Sequence, residues 1–122
     1  MLTVIDSIKG MNTTALGDGL SLGVSTQAVA DAGSVDCELQ SHVLVTPAGS
    51  FTLAEPADKT AGRVVLVTNV GAADRAFTNN NGLVKGLGDD DGDLISTFSA
   101  GMTQMFVWTG SFWSCMSTTL AA

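Results

Sequence analysis

The stretch Asp89-Asp90-Asp91-Gly92-Asp93 is the densest group of carboxylates in the chain. Closely spaced carboxylates are hard oxygen ligands of the kind that hold Ca²⁺. A calcium loop needs a glutamate at its twelfth position, and counted from Asp89 that place is taken by Ala100; Gly92 also falls too early. The run therefore reads as a solvated loop that keeps like-charged copies apart, in preference to a metal site. His42 is the single histidine. In a strand its neighbour Ser41 points to the opposite face, so the two do not form a nucleophile and its base. Cys37 and Cys115 match no nucleophile motif, and with one histidine they do not complete a zinc set. Glu38 and Glu55, the only glutamates, could be cast as a glycosidase pair, but any two acids fit so loose a pattern. Gly86-Leu87-Gly88 follows Lys85 instead of preceding a lysine and a helix, so it is no phosphate loop. The expectation is a protein without catalytic residues, cofactor or metal.

Trp108 and Trp113 flank a turn, with Phe106 and Phe112 beside them. Aromatic side chains on a hairpin form either a carbohydrate platform or packed cross-strand pairs. Phe106 and Trp108 share one face of their strand, whereas Trp113 points opposite to Phe112. At least one of these aromatics is expected at a surface, and an intersubunit contact is favoured over a sugar.

Composition narrows the partners. The chain has 122 residues, room for one domain, with 5 Lys and Arg against 12 Asp and Glu. A net charge of −7 offers no basic footprint for phosphates, so nucleic acid is excluded as a partner, and an anionic membrane surface is disfavoured. Charged residues make up only 14%, against about 25% in an ordinary soluble domain. The surface must then be built from hydroxyls, glycine and small residues, a surface that a second copy can readily cover. Cys37 and Cys115 permit one disulfide without requiring it; Cys115, inside a strand-like run, reads as a buried free thiol. No run reaches the roughly 20 apolar residues of a membrane span, and no basic-then-apolar leader is visible. Synthesis in a reducing cytoplasm is expected.

The elements that would carry these residues are strands. Leu20, Leu22 and Val24 alternate with Ser21 and Gly23, as in a short strand. Residues 25–32 could instead wind into one or two helical turns capped by Ser25 or Thr26. His42–Thr46 ends at Pro47-Ala48-Gly49, and Phe51–Leu53 stops before Pro56. Arg63–Val70 is the strongest strand, apolar enough to be central and buried on both faces. Ala76–Thr78 runs into Asn79-Asn80-Asn81-Gly82, a turn of positive φ. Leu83-Val84, residues 94–98, and the hairpin of Thr103–Trp108 with Phe112–Met116 complete the set. No internal repeat of useful period is visible. Strands roughly every ten residues with glycine-rich turns imply an all-β fold, a single compact β-sandwich or barrel-like domain over 36–122 with an extended N-terminal arm over 1–35.

Three stretches resemble small β domains in virion proteins of tailed bacteriophages. One is Phe51-Thr52-Leu53-Ala54-Glu55-Pro56, leading through Ala61-Gly62 into the strand that ends Thr68-Asn69. Another is the Asn-rich turn with Gly82. The third is Phe106-Val107-Trp108-Thr109-Gly110-Ser111-Phe112-Trp113, similar to a W-x-G-x-x-W closing hairpin. The resemblance covers residues 51–116, about half the chain. It implies a structural protein that decorates and stabilises a capsid, usually a homotrimer, located on the capsid surface of the virion. Its partners would be itself and the major capsid protein, without nucleic acid or membrane. The alternative is a fibre or receptor- and carbohydrate-binding module. The expected oligomer or capsid interface comprises Leu2, Val4, Ile5, Leu20, Leu22 and Val24 on the arm, and Phe106, Trp108 and Trp113 on the hairpin.

Overall fold

The structure, a computed structural model, describes residues 23–38, 40–86 and 95–115. It is all-β: no helix occurs among the described residues. The strands are β1 (Val24–Val29), β2 (Gly33–Val35), β3 (His42–Pro47), β4 (Phe51–Leu53) and β5 (Val64–Asn69), then β6 (Arg75–Thr78), β7 (Val84–Lys85), β8 (Ile95–Phe98), β9 (Thr103–Trp108) and β10 (Trp113–Cys115). They form a six-stranded sheet, β1-β3-β5-β9-β10-β7, and a four-stranded sheet, β2-β4-β6-β8.

Through β6 the chain alternates between the sheets. Odd strands enter the larger sheet and even strands the smaller, and each pairs in parallel with the strand before last. The chain thus winds as a flattened coil. The first two coils are offset equally in both sheets, with Val24 beside His42 and Gly33 beside Phe51. The next coil is longer: it takes the chain from His42 to Leu66 in one sheet and from Phe51 to Phe77 in the other. β9 then runs antiparallel to β5, β10 antiparallel to β9, and β8 antiparallel to β6.

The expected helical turns at 25–32 are replaced by β1 and β2. Every residue of β1 has a partner in β3, so backbone pairing outweighs the weak local helix preference of Thr26-Gln27-Ala28. Residues 24–29 and 33–35, read from the sequence as part of an arm, are strands, one in each sheet.

Side chains of both sheets contribute to one core. Val43, Val45, Val65, Val67 and Phe106 line it from the larger sheet, and Val35, Phe51, Leu53, Phe77 and Phe98 from the smaller. Phe51, Phe77 and Phe98 form a ring cluster with centroids 5.1 to 5.6 Å apart. Phe77 stacks across the gap on Phe106 at 5.5 Å. Edge-to-face and offset contacts of this kind add stability beyond burial alone.

Two polar residues tie the turns to this core. Asn69 is fully buried; its amide donates to the carbonyls of Ala73 and Phe98, and its carbonyl accepts from Gly71 N–H. Asn69 therefore holds the β5–β6 turn against the end of β8. At the opposite edge the inward position of β1 is Gln27, whose amide bonds reciprocally with Asp36 N–H and C=O at 2.9 and 2.7 Å. The Asn79–Gly82 turn forms as expected, with φ of 52° at Asn80 and 58° at Asn81. Asparagine is among the few residues that accept that region readily.

Candidate functional site

The hairpin aromatics sit differently from the expectation of an interface. Phe106, Trp108 and Trp113 are 0%, 1% and 0% exposed. The cause is register: Trp113 lies directly opposite Trp108 across the β9–β10 ladder, so both indoles fall on the inner face, centroids 5.3 Å apart. The loop over 54–63 covers them. Trp108 Nε1–H donates to Lys59 C=O at 3.1 Å and Trp113 Nε1–H to Ala54 C=O at 2.9 Å. Both indole donors are satisfied, which is the usual condition for burying tryptophan. Among the described residues the hairpin aromatic that reaches the surface is Phe112, half-buried, with the Lys85 ammonium 5.3 Å from its ring centre. Of the arm residues, Leu2, Val4, Ile5, Leu20 and Leu22 lie outside the described residues; Val24 opens β1 and is 54% exposed. The acidic run 89–93 also lies outside them.

The surface that stands out is the outer face of the six-stranded sheet. Alternation along each long strand turns Val43, Val45, Val65, Val67, Gln104 and Phe106 inward, leaving their neighbours outside. The sequence predicts β5 buried on both faces, but its burial alternates: Val64 is 39% exposed, and Leu66 and Thr68 are half-buried. The strand registers arrange the outward side chains in rows. One row runs Val24, His42, Leu66, Met105; the next runs Thr26, Leu44, Thr68, Thr103. Below them Val64 lies beside Val107, followed by Ser114 and then Lys85 on the far edge strand.

The polar groups in these rows bond to one another along the sheet. His42 Nε2 is 2.8 Å from Thr68 Oγ1, which is 2.6 Å from Thr103 Oγ1. Thus His42 lies in a neutral hydroxyl chain, and no acid or nucleophile is built around it among these contacts. Among the described residues, Lys85 at the rim is the one charged side chain on the strands of this face. The described acids stand in the connections: Asp31, Asp36, Glu38, Glu55, Asp58 and Asp74. Asp31 accepts from Ser50 N–H, Glu38 from Ala57 N–H and Asp74 from Ala100 N–H, so several of them bind loops together.

Both cysteines are buried, and neither forms a disulfide. Cys37 lies under the loop that covers the indoles, near Ala54 C=O, and its own carbonyl accepts both Nε–H and an Nη–H of Arg63. Burial, and then the adjacent Glu38 carboxylate, raise its pKa from 9.0 to about 11, against a smaller opposing pull from Arg63. The neutral thiol is a poor nucleophile. Cys115 contacts Gln104 Oε1 at 3.3 Å. Among the described residues no group of His, Cys, Asp and Glu is placed to hold a metal ion.

Comparison with protein-family models, with curated proteins and with solved structures finds no match to this chain.

Proposed function

We propose that the chain is a structural, self-associating protein of a phage capsid that decorates the shell by bridging neighbouring capsid subunits. The reading rests on the resemblance over residues 51–116. The observation that supports it is the apolar and hydroxyl face of the six-stranded sheet, which carries no carboxylate on its strands, on a chain of net charge −7. Charge-depleted patches of this kind are characteristic of interface centres. The proposal includes a sandwich form for the two sheets, a homotrimeric state on the shell, and an arm confined to the residues before β1. Individually modest contacts would become strong across many equivalent sites on a shell. A fibre tip is the weaker reading, since Trp108 and Trp113 are interior and its sugar platform is reduced to the 79–82 turn.

The test mixes purified protein with bare capsid shells and, separately, with host cells, followed by sedimentation. Saturable binding to shells at a fixed ratio to the major capsid protein is expected. Binding to cells alone would favour the fibre reading and sink decoration.

A further inference from the structure

We propose that, in free solution, the outer face of the six-stranded sheet is a two-fold contact between copies of this chain, formed by packing that face against itself. The proposal goes beyond the capsid reading, because it assigns the contact to one surface and gives it a dimeric symmetry.

Three features identify the occupant as a second copy. The first is charge. In a two-fold contact each patch meets its own image, so a patch with an excess of one sign repels its copy. A chain of net charge −7 meets least repulsion from its copy where carboxylates are absent, and the face carried by β1, β3, β5 and β9 has none. The second is chemistry. Val24, Leu44, Val64, Leu66, Met105 and Val107 supply apolar area, while the chain from His42 through Thr68 to Thr103 holds both donors and acceptors and so is complementary to its own copy. The third is relief. The outward residues are β-branched, hydroxyl or medium-sized, giving the low profile that lets two sheets stack about 10 Å apart.

Size sets the strength. Four strands of six residues cover roughly 20 by 19 Å, or about 400 Å² per copy. That is half of the roughly 800 Å² per partner in a standard interface. The pair therefore forms at high concentration and dissociates on dilution.

Sedimentation equilibrium of the full chain across a wide concentration range tests this. The expected mass rises from the 12.4 kDa of one chain towards twice that value. Leu66→Glu places a carboxylate at the centre of the patch and is expected to hold the mass at that of one chain at every concentration. Val24→Asp is a second disruptive change at a position exposed enough to leave folding intact, and weakens the association. Thr97→Glu, on the exposed outer face of the smaller sheet, leaves it unchanged. Circular dichroism confirms that each variant keeps its strands. A wild-type mass of a single chain throughout, a limiting mass of three copies, or association that survives both Leu66→Glu and Val24→Asp would overturn the two-fold contact. Shell binding, measured separately, stands or falls independently: a chain that decorates shells yet never pairs through this face refutes only this inference.

Discussion

The two ends of the larger sheet are held by different physics. At the β9–β10 end the interior is Phe106, Trp108 and Trp113, with both indole N–H groups donating to the covering loop. At the β1 end the corresponding inward positions are Ser25, Gln27 and Val29, and the interior is closed by a glutamine bonded to a backbone segment. Apolar burial therefore dominates one end and hydrogen bonding the other. A buried hydrogen bond nets only about 0.5–1.5 kcal/mol, whereas a buried aromatic is worth several times more. The difference teaches where the fold is anchored: the β9–β10 hairpin contributes buried aromatic area to the core, and the first coil is held more by hydrogen bonding.

Substitutions at the two ends should separate accordingly. Trp113→Ala empties a fully buried site and leaves Ala54 C=O without its indole donor; a loss of about 3–5 kcal/mol is expected in urea unfolding. Asn69→Ala, midway along the sheet, strips Gly71 N–H and the carbonyls of Ala73 and Phe98 of their partner, and about 2–3 kcal/mol is expected from the same measurement. Gln27→Ala breaks only the brace to Asp36 at the half-buried edge, so about 1 kcal/mol is expected, with faster amide exchange confined to β1 and β2. A Gln27→Ala loss as large as that of Trp113→Ala would erase the contrast.

A further effect is confined to alkaline pH and concerns Cys37. Its folded pKa of about 11 exceeds the ordinary 9.0, so the unfolded chain releases the proton first as pH rises. This contribution to stability is complete below about pH 9 and is lost progressively between 9 and 11. Cys37→Ala should remove that part of the slope. Identical pH dependence in the two proteins across this window would show that the thiol does not titrate in this way.

The same contrast explains what can be read from the amino acids. The hairpin is legible because it is local: Thr103–Trp108 has the bounds expected, and Thr109-Gly110-Ser111 lies at the reversal. The Asn79–Gly82 turn is legible for the same reason. The coil is not, since stacked positions share a place and not a residue type: Ser25 lies over Val43, Gln27 over Val45 and Gly33 over Phe51. A regular offset in space therefore leaves no repeat to detect in the residues. β5 misleads in a different way. Consecutive Val64-Val65-Leu66-Val67 looks like two buried faces, yet only the inner half meets a second layer. That same discrepancy exposes the candidate surface. Alternation places Trp113 and Phe112 on opposite faces, but which face turns inward depends on the loop at 54–63 lying over the indoles, a contact made at long range.

That loop has a further consequence. It sits where the coil lengthens, between the pairing of Val24 with His42 and that of His42 with Leu66, while β5 still pairs in parallel register with β3. Trp108 grips both sides of the turn, its indole on Lys59 C=O and its backbone carbonyl on Gly62 N–H, and leaves Thr60 and Ala61 exposed at the tip. Chain length is thereby uncoupled from strand register, which makes the Thr60–Ala61 junction a natural insertion point: a peptide grafted there would be displayed outward from a base that the core itself holds shut.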